Sequence, residues 1–258
     1  MELSQLYLFS GELIIAMMTA LWVLSLVLKN SSIVDIFWGT GFVFINLAAY
    51  YLSQQTMQQT LLTIFVTSWG LRLSIHIFLR NHRKPEDFRY AQWRKEQGSQ
   101  WWWISFFKVF LLQGILMWII AAPLLAVQTV ANISSLTLVN VVGIAVWAIG
   151  FFFEAVSDYQ LVRFKSNAQH HGKLLTSGLW HYSRHPNYFG DTMQWWGFYF
   201  LAAASGYWWT IFSPVIMTLL LLRVSGVTLL EKTMKTRSGY EEYIRTTNGF
   251  IPWIPRHS

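Results

Sequence analysis

Seven times along the chain, apolar side chains run on for about 18 to 22 residues, long enough to cross the hydrocarbon of a bilayer as an α-helix. The runs fall near residues 8 to 28, 33 to 53, 60 to 80, 103 to 127, 137 to 160, 188 to 204 and 208 to 230. They predict an all-α polytopic protein with seven transmembrane helices in a single membrane domain. No basic segment precedes the first run and no convincing small-residue cleavage site follows it, so it reads as the first span rather than a signal peptide.

The segments between the runs alternate in charge. Lys29, the stretch 81–102 (Arg83, Lys84, Arg89, Arg94, Lys95), the stretch 161–187 (Arg163, Lys165, Lys173, Arg184) and the tail after 230 (Lys232, Lys235, Arg237, Arg245, Arg256) are basic. The intervening segments near 54–59, 128–136 and 205–207 hold no Lys or Arg. Basic residues near span ends stay cytoplasmic, so the N-terminus lies outside and the tail in the cytoplasm. The formal net charge of +7 reads first as this topology plus attraction to anionic lipid, and no nucleic-acid partner is expected. The chain has no cysteine, which excludes disulfides, thiolate metal sites and a cysteine nucleophile.

On this topology the polar residues of the spans gather in the cytoplasmic half: Asp35, Arg72, His76, Arg80, Lys108, Glu154, Asp158, Asn187, Asp191, Gln194, Arg223 and Glu231. Glu12, near the outer end of the first helix, is the exception. A charge in hydrocarbon costs about 2.5 to 3.5 kcal/mol even on insertion scales, so such residues face a wet or protein-lined interior. Asn187, Asp191 and Gln194 follow i, i+4, i+7, while Glu154 with Asp158, and Ser68 with Arg72 and His76, follow i, i+4; each set shares one helical face. Mutual pairing to hold the bundle together is the simpler explanation, but it does not account for confinement to one leaflet. The pattern predicts a polar cavity open to the cytoplasm.

Basic residues (Lys84, Arg163, Lys165, Lys173, Arg184) beside carboxylates and amides suit a ligand with phosphates, hydroxyls and an amide, as in a nucleotide cofactor. Gly39-Thr40-Gly41 lacks the third glycine of a dinucleotide fingerprint and lies within a hydrophobic helix, so the helices themselves must bind any nucleotide. His181 and His185, even with His170-His171, are too few for a di-iron site, and no metal is expected. A transporter would call for midplane polar residues and an internal repeat, neither of which is evident.

The segment from Ser177 to Asp191 (SGLWHYSRHPNYFGD) followed by Trp195-Trp196-Gly197 resembles the signature of the steroid 5α-reductase family, particularly its bacterial membrane branch. Ser157-Asp158-Tyr159, the stretch NHRKPEDFRY at 81–90, Tyr243 and Phe250-Ile251-Pro252-Trp253 resemble further family elements in order. The resemblance is specific over about residues 145–255 and weaker over the first 80. It implies a reductase of the bacterial inner membrane that uses NADPH in its cytoplasmic half on an apolar enone, a lipid or steroid-like molecule entering from the bilayer. Residues 1–102 would form the substrate side and 103–258 the cofactor side. By position, cofactor contacts fall on Glu154, Asp158, Lys165, Lys173, Asn187, Asp191 and Tyr243, with Arg184 and Lys84 as further phosphate partners.

The family's carboxyl from the second helix corresponds to Asp35, which in its acid form donates a hydrogen bond to the substrate carbonyl. The family's tyrosine on the third helix has no counterpart among Trp69, Arg72 and His76, which leaves His76 or Arg72 as the electrophile. Isoprenylcysteine and phospholipid methyltransferases carry a similar Arg-His-Pro-Asx-Tyr element, so a SAM-dependent methyltransferase is the alternative. A non-enzymatic lipid-binding or transport protein is a second one. The charge alternation itself predicts that tags at 56 and 132 lie outside and tags at 92 and 258 lie in the cytoplasm. Protease protection of the tail in inverted vesicles would refute this.

Overall fold

The computed structural model describes residues 1–131, 136–224, 226–234 and 237–256; the tag positions 132 and 258 lie outside them. Among the described residues every regular element is helical. In chain order these are α1 (Leu3–Leu28), α2 (Ile33–Tyr51), α3 (Met57–Asn81), α4 (Phe88–Gln97), α5 (Trp101–Ser105), a π-helical stretch (Phe106–Leu111), α6 (Leu112–Ile120) and α7 (Ala122–Gln128). There follow α8 (Leu138–Ser166), α9 (Leu179–Tyr182), α10 (Pro186–Ala203), α11 (Phe212–Leu219), a second π-helical stretch (Leu220–Val224), α12 (Val227–Met234) and α13 (Tyr240–Thr246).

Among the described residues five helical stretches are long and apolar enough to cross a membrane: α1, α2, α3, the composite Phe88–Ile120, and α8. The fourth begins well before the apolar run that announced it. Asp87 caps α4 by accepting from the Arg89 N–H at 3.0 Å, and the helix continues through the charged stretch into the membrane-length segment. It ends at Ala121, after which Pro123 sits in the first turn of α7, where its missing N–H costs nothing.

The chain forms two compact units, one of Met1–Leu136 with Ser205–Tyr207, the other of Thr137–Ala204 with Trp208–Ser258. In the first unit α2 and α3 come close at Gly39 and Gly70, where a Cβ on either residue would run into the other's backbone. Nearby, Thr40 donates to Ser74 Oγ from its N–H at 2.9 Å and from its hydroxyl at 2.6 Å. Further along, Gln128 of α7 donates to both Asn46 and Thr63 at 3.1 Å, and Asn46 donates to Thr63 at 3.1 Å. Gln59 donates to the Gln128 carbonyl at 2.9 Å. Phe42, Leu62, Val66, Trp69 and Met117 form the fully buried core around these links.

In the second unit α8 and α10 pack antiparallel through paired glycines seven residues apart on each helix. A Cβ on Gly150 would sit 2.6 Å from the Gly190 carbonyl, and one on Gly197 would sit 2.7 Å from Trp147 Cβ. In lipid, where the hydrophobic effect does not drive helices together, such close backbone approach is a main source of attraction. Gly190→Leu should therefore cost more than about 2 kcal/mol through overpacking, while Phe152→Leu on the 54% exposed face should be nearly neutral. Thermal melts of the two purified variants compare them directly.

Candidate functional site

The first polar cluster is built on Asp35, in the opening turn of α2. Its Oδ1 accepts from the Tyr90 hydroxyl at 2.7 Å and, at the long limit of 3.5 Å, from Gln113 Nε2; its Oδ2 faces an Arg89 guanidinium nitrogen at 3.3 Å. Gln113 also donates to the Tyr90 oxygen at 3.2 Å. Tyr90 is therefore both donor and acceptor, buried at 4% exposure. Arg89 is itself held by Asp87 at 2.9 Å.

Local interactions fix this geometry. Glu86 and Arg94 form a two-pronged ion pair with both contacts at 2.9 Å. Glu86 also accepts the Ser31 N–H, and Ser31 Oγ accepts from Trp101 at 3.1 Å and Arg94 at 3.3 Å. The turn before α2 is thus tied to α4 and α5. The Tyr90 ring meets Trp93 edge-on, and Lys108 Nζ lies 4.3 Å from the Trp93 ring centre. The π-helical turn Phe106–Leu111 directly precedes the helix that carries Gln113; such wide turns recur at functional sites.

Arg72 and His76 lie half-buried on α3 and are not among the partners of Asp35. Lys84 is exposed in the turn before α4. Tyr90 and Gln113 were not singled out from the sequence. The charged stretch 81–102 reads as a loop, yet Tyr90, Trp93 and Trp101 at helical spacing mark the buried face of a helix within it.

The second cluster brings α8 and α10 together as their spacing predicts. Gln194 Nε2 donates to Glu154 at 2.7 Å and Asn187 Nδ2 to Asp158 at 3.2 Å. Glu154, Asp158 and Asp191 are all buried. Asn187 Oδ1 and Gln194 Oε1 are shielded from solvent without a hydrogen-bond partner, an arrangement that costs about 1 to 3 kcal/mol per group unless a donor is supplied. Lys165, in the last turn of α8, and Lys173, in the connection after it, are exposed.

Arg184 and Tyr243 are engaged with the chain's own tail. The Arg184 guanidinium binds Glu231 at 2.6 Å and the Thr247 carbonyl at 2.6 Å, and its N–H donates to the Asn248 carbonyl at 2.8 Å. Tyr243 donates to the Trp180 carbonyl, and burial pushes its hydroxyl well above the ordinary tyrosine range. Ser183 Oγ donates to the Phe250 carbonyl at 2.7 Å, and the Trp253 N–H to the Tyr182 carbonyl at 3.0 Å. His185 stacks on Tyr188 and lies 3.3 Å from Glu231. Among the described residues no three His, Asp or Glu side chains gather as a metal site would require.

Long apolar helices that enclose buried polar clusters define an integral membrane protein. The chain belongs to the DUF1295 family, described as a protein of unknown function, whose match covers residues 21–247. It is 23% identical over 227 residues to an uncharacterized protein of Schizosaccharomyces pombe, an alignment covering 75% of the chain. The chain spans 64% of that relative's length. No solved structure matches it.

Burial holds the His185 imidazole below its ordinary value of 6.5, an effect that the nearby Glu231 only partly offsets. Below that value the unfolded chain binds a proton that the folded one resists, so stability falls as pH drops. The apparent Tm should decline between about pH 7 and pH 5, and His185→Gln should flatten that decline. An unchanged slope in the variant would show that another group governs it.

Proposed function

We propose that the protein is an NADPH-dependent membrane reductase of an activated carbon–carbon double bond in an apolar, lipid or steroid-like substrate. The observation that carries this reading is the Tyr90–Asp35–Gln113 cluster: a buried phenol hydrogen-bonded to a carboxylate at the start of α2. It supplies, from α4, the tyrosine that the third helix lacks. In this reading α10 and Trp208–Val224 are the sixth and seventh spans, the N-terminus is outside, and each polar cluster lies at the cytoplasmic end of its helices. The resemblance to the bacterial reductase branch supports placement in an inner membrane.

Reduction of an enone builds negative charge on its carbonyl oxygen and requires a proton at the neighbouring carbon. Tyr90 donates to Asp35 across 2.7 Å; in this reading the phenol turns its O–H toward that oxygen and gives up the proton. Gln113 holds the phenol in place, and Arg89 balances the carboxylate when the proton leaves. NADPH, when bound, supplies the hydride. Its ribose hydroxyls and carboxamide match the unpartnered Asn187 and Gln194 oxygens and the buried Asp191, with Glu154 and Asp158 bracing them. Lys165 and Lys173, both exposed, would meet its phosphates, whereas Arg184 and Tyr243 act by holding the tail.

Asp35→Asn and Tyr90→Phe should each lower turnover about 10² to 10³-fold with cofactor affinity nearly unchanged. Asp191→Ala should instead weaken cofactor binding by about 1.5 to 3 kcal/mol. Replacing Lys165 and Lys173 together with Ala should flatten the salt dependence of NADPH binding. Fluorescence titration and steady-state kinetics on folded variants separate these effects. Copurification of SAM or its product in place of NADP(H) would move the protein to the methyltransferase class, and substrate flux into sealed vesicles without chemical change would make it a transporter.

A further inference from the structure

Within the first unit, α1 and the Phe106–Ile120 stretch leave between them an apolar cleft of about 430 Å³. Two glycines open it. A Cβ on Gly11 would meet the Trp118 indole at 3.2 Å, and one on Gly114 would meet Ile14 and Met18 at 3.2 Å. Reciprocal hydrogen bonds hold α1 to α6 beside the cleft, Tyr7 hydroxyl to the Trp118 carbonyl at 2.9 Å and Trp118 Nε1 to the Tyr7 carbonyl at 2.8 Å. Glu12 is the one ionisable side chain among the described residues of the wall. It is exposed, in a helix apolar enough to cross a membrane, and has no hydrogen-bond or ion-pair partner among the described residues.

A carboxyl group against hydrocarbon is strongly unfavourable until a donor reaches it, so intramembrane acids of this kind mark a ligand or pathway. An apolar cleft of a few hundred Å³ with one polar group fits a compact hydrophobic molecule oriented by a single contact. The wall has one acceptor group from a side chain. An ammonium would bring three donors and leave some unmet, whereas a hydroxyl brings one. We propose that this cleft binds a membrane-dissolved apolar alcohol of about sterol size, its hydroxyl donating to Glu12. Asp35 and Tyr90 take no part, so the proposal stands apart from the reductase reading.

The test uses the full chain in nanodiscs with a photoreactive sterol alcohol and its deoxy counterpart. On irradiation, the alcohol should label peptides containing residues 8–18 or 106–118. Glu12→Ala should cut that labelling about tenfold, as loss of a hydrogen bond to a charged group would. Ile15→Trp should do the same by filling the cleft from a position already 56% exposed, and Asp35→Asn should leave it unchanged. Equal labelling by the deoxy probe would overturn the proposal, because the cleft would then hold any hydrocarbon. The chain has no native cysteine, so a Glu12→Cys variant is clean; disulfide-linked pairs in the membrane would likewise overturn it, making the face a surface for self-association. Thermal melts establish that each variant is folded.

Discussion

Removing a carboxylate from water costs several kcal/mol unless donors surround it, and the polar architecture of both units follows from that requirement. Asp35 draws Tyr90, Arg89 and Gln113 from elsewhere in its unit. Glu154 and Asp158 draw the amides of Gln194 and Asn187 from α10, and Glu231 draws Arg184 and His185. In each case the acid determines which residues of distant sequence meet. The apolar surfaces fill in around these meetings.

Backbone proximity makes the second of these possible. Side chains as short as Asn187 and Gln194 reach α8 because Gly150 and Gly190 let the helices almost touch. The amides that result are only half used, each with one nitrogen engaged and its oxygen shielded. A site held in that state has fixed directions and unused acceptors, which is the condition for binding a polar ligand with little rearrangement.

Much of this was legible in the residues. Five of the seven apolar runs coincide with helices long and apolar enough to cross a membrane, and the i, i+4, i+7 spacing of Asn187, Asp191 and Gln194 placed them on the face that meets Glu154 and Asp158. Tyr90 was hidden for a physical reason: the charges of 81–102 lower the mean hydropathy of a helix whose buried side is aromatic. The engagement of Arg184 was hidden for another. Its acceptors are largely backbone carbonyls at Ile244 and Thr247, which carry no side-chain signature, so a guanidinium beside a suspected nucleotide site read as a phosphate partner.

The tail contacts also set an order of events during synthesis. Ser183, Arg184 and Tyr182, just ahead of α10, find their acceptors and donors in residues 244–253, which are made some 60 residues later. Until those residues are made, the segment leading into α10 must keep these polar groups hydrated. A stop codon before residue 248 would therefore leave that segment without these partners even though the membrane-length helices among the described residues had already been made.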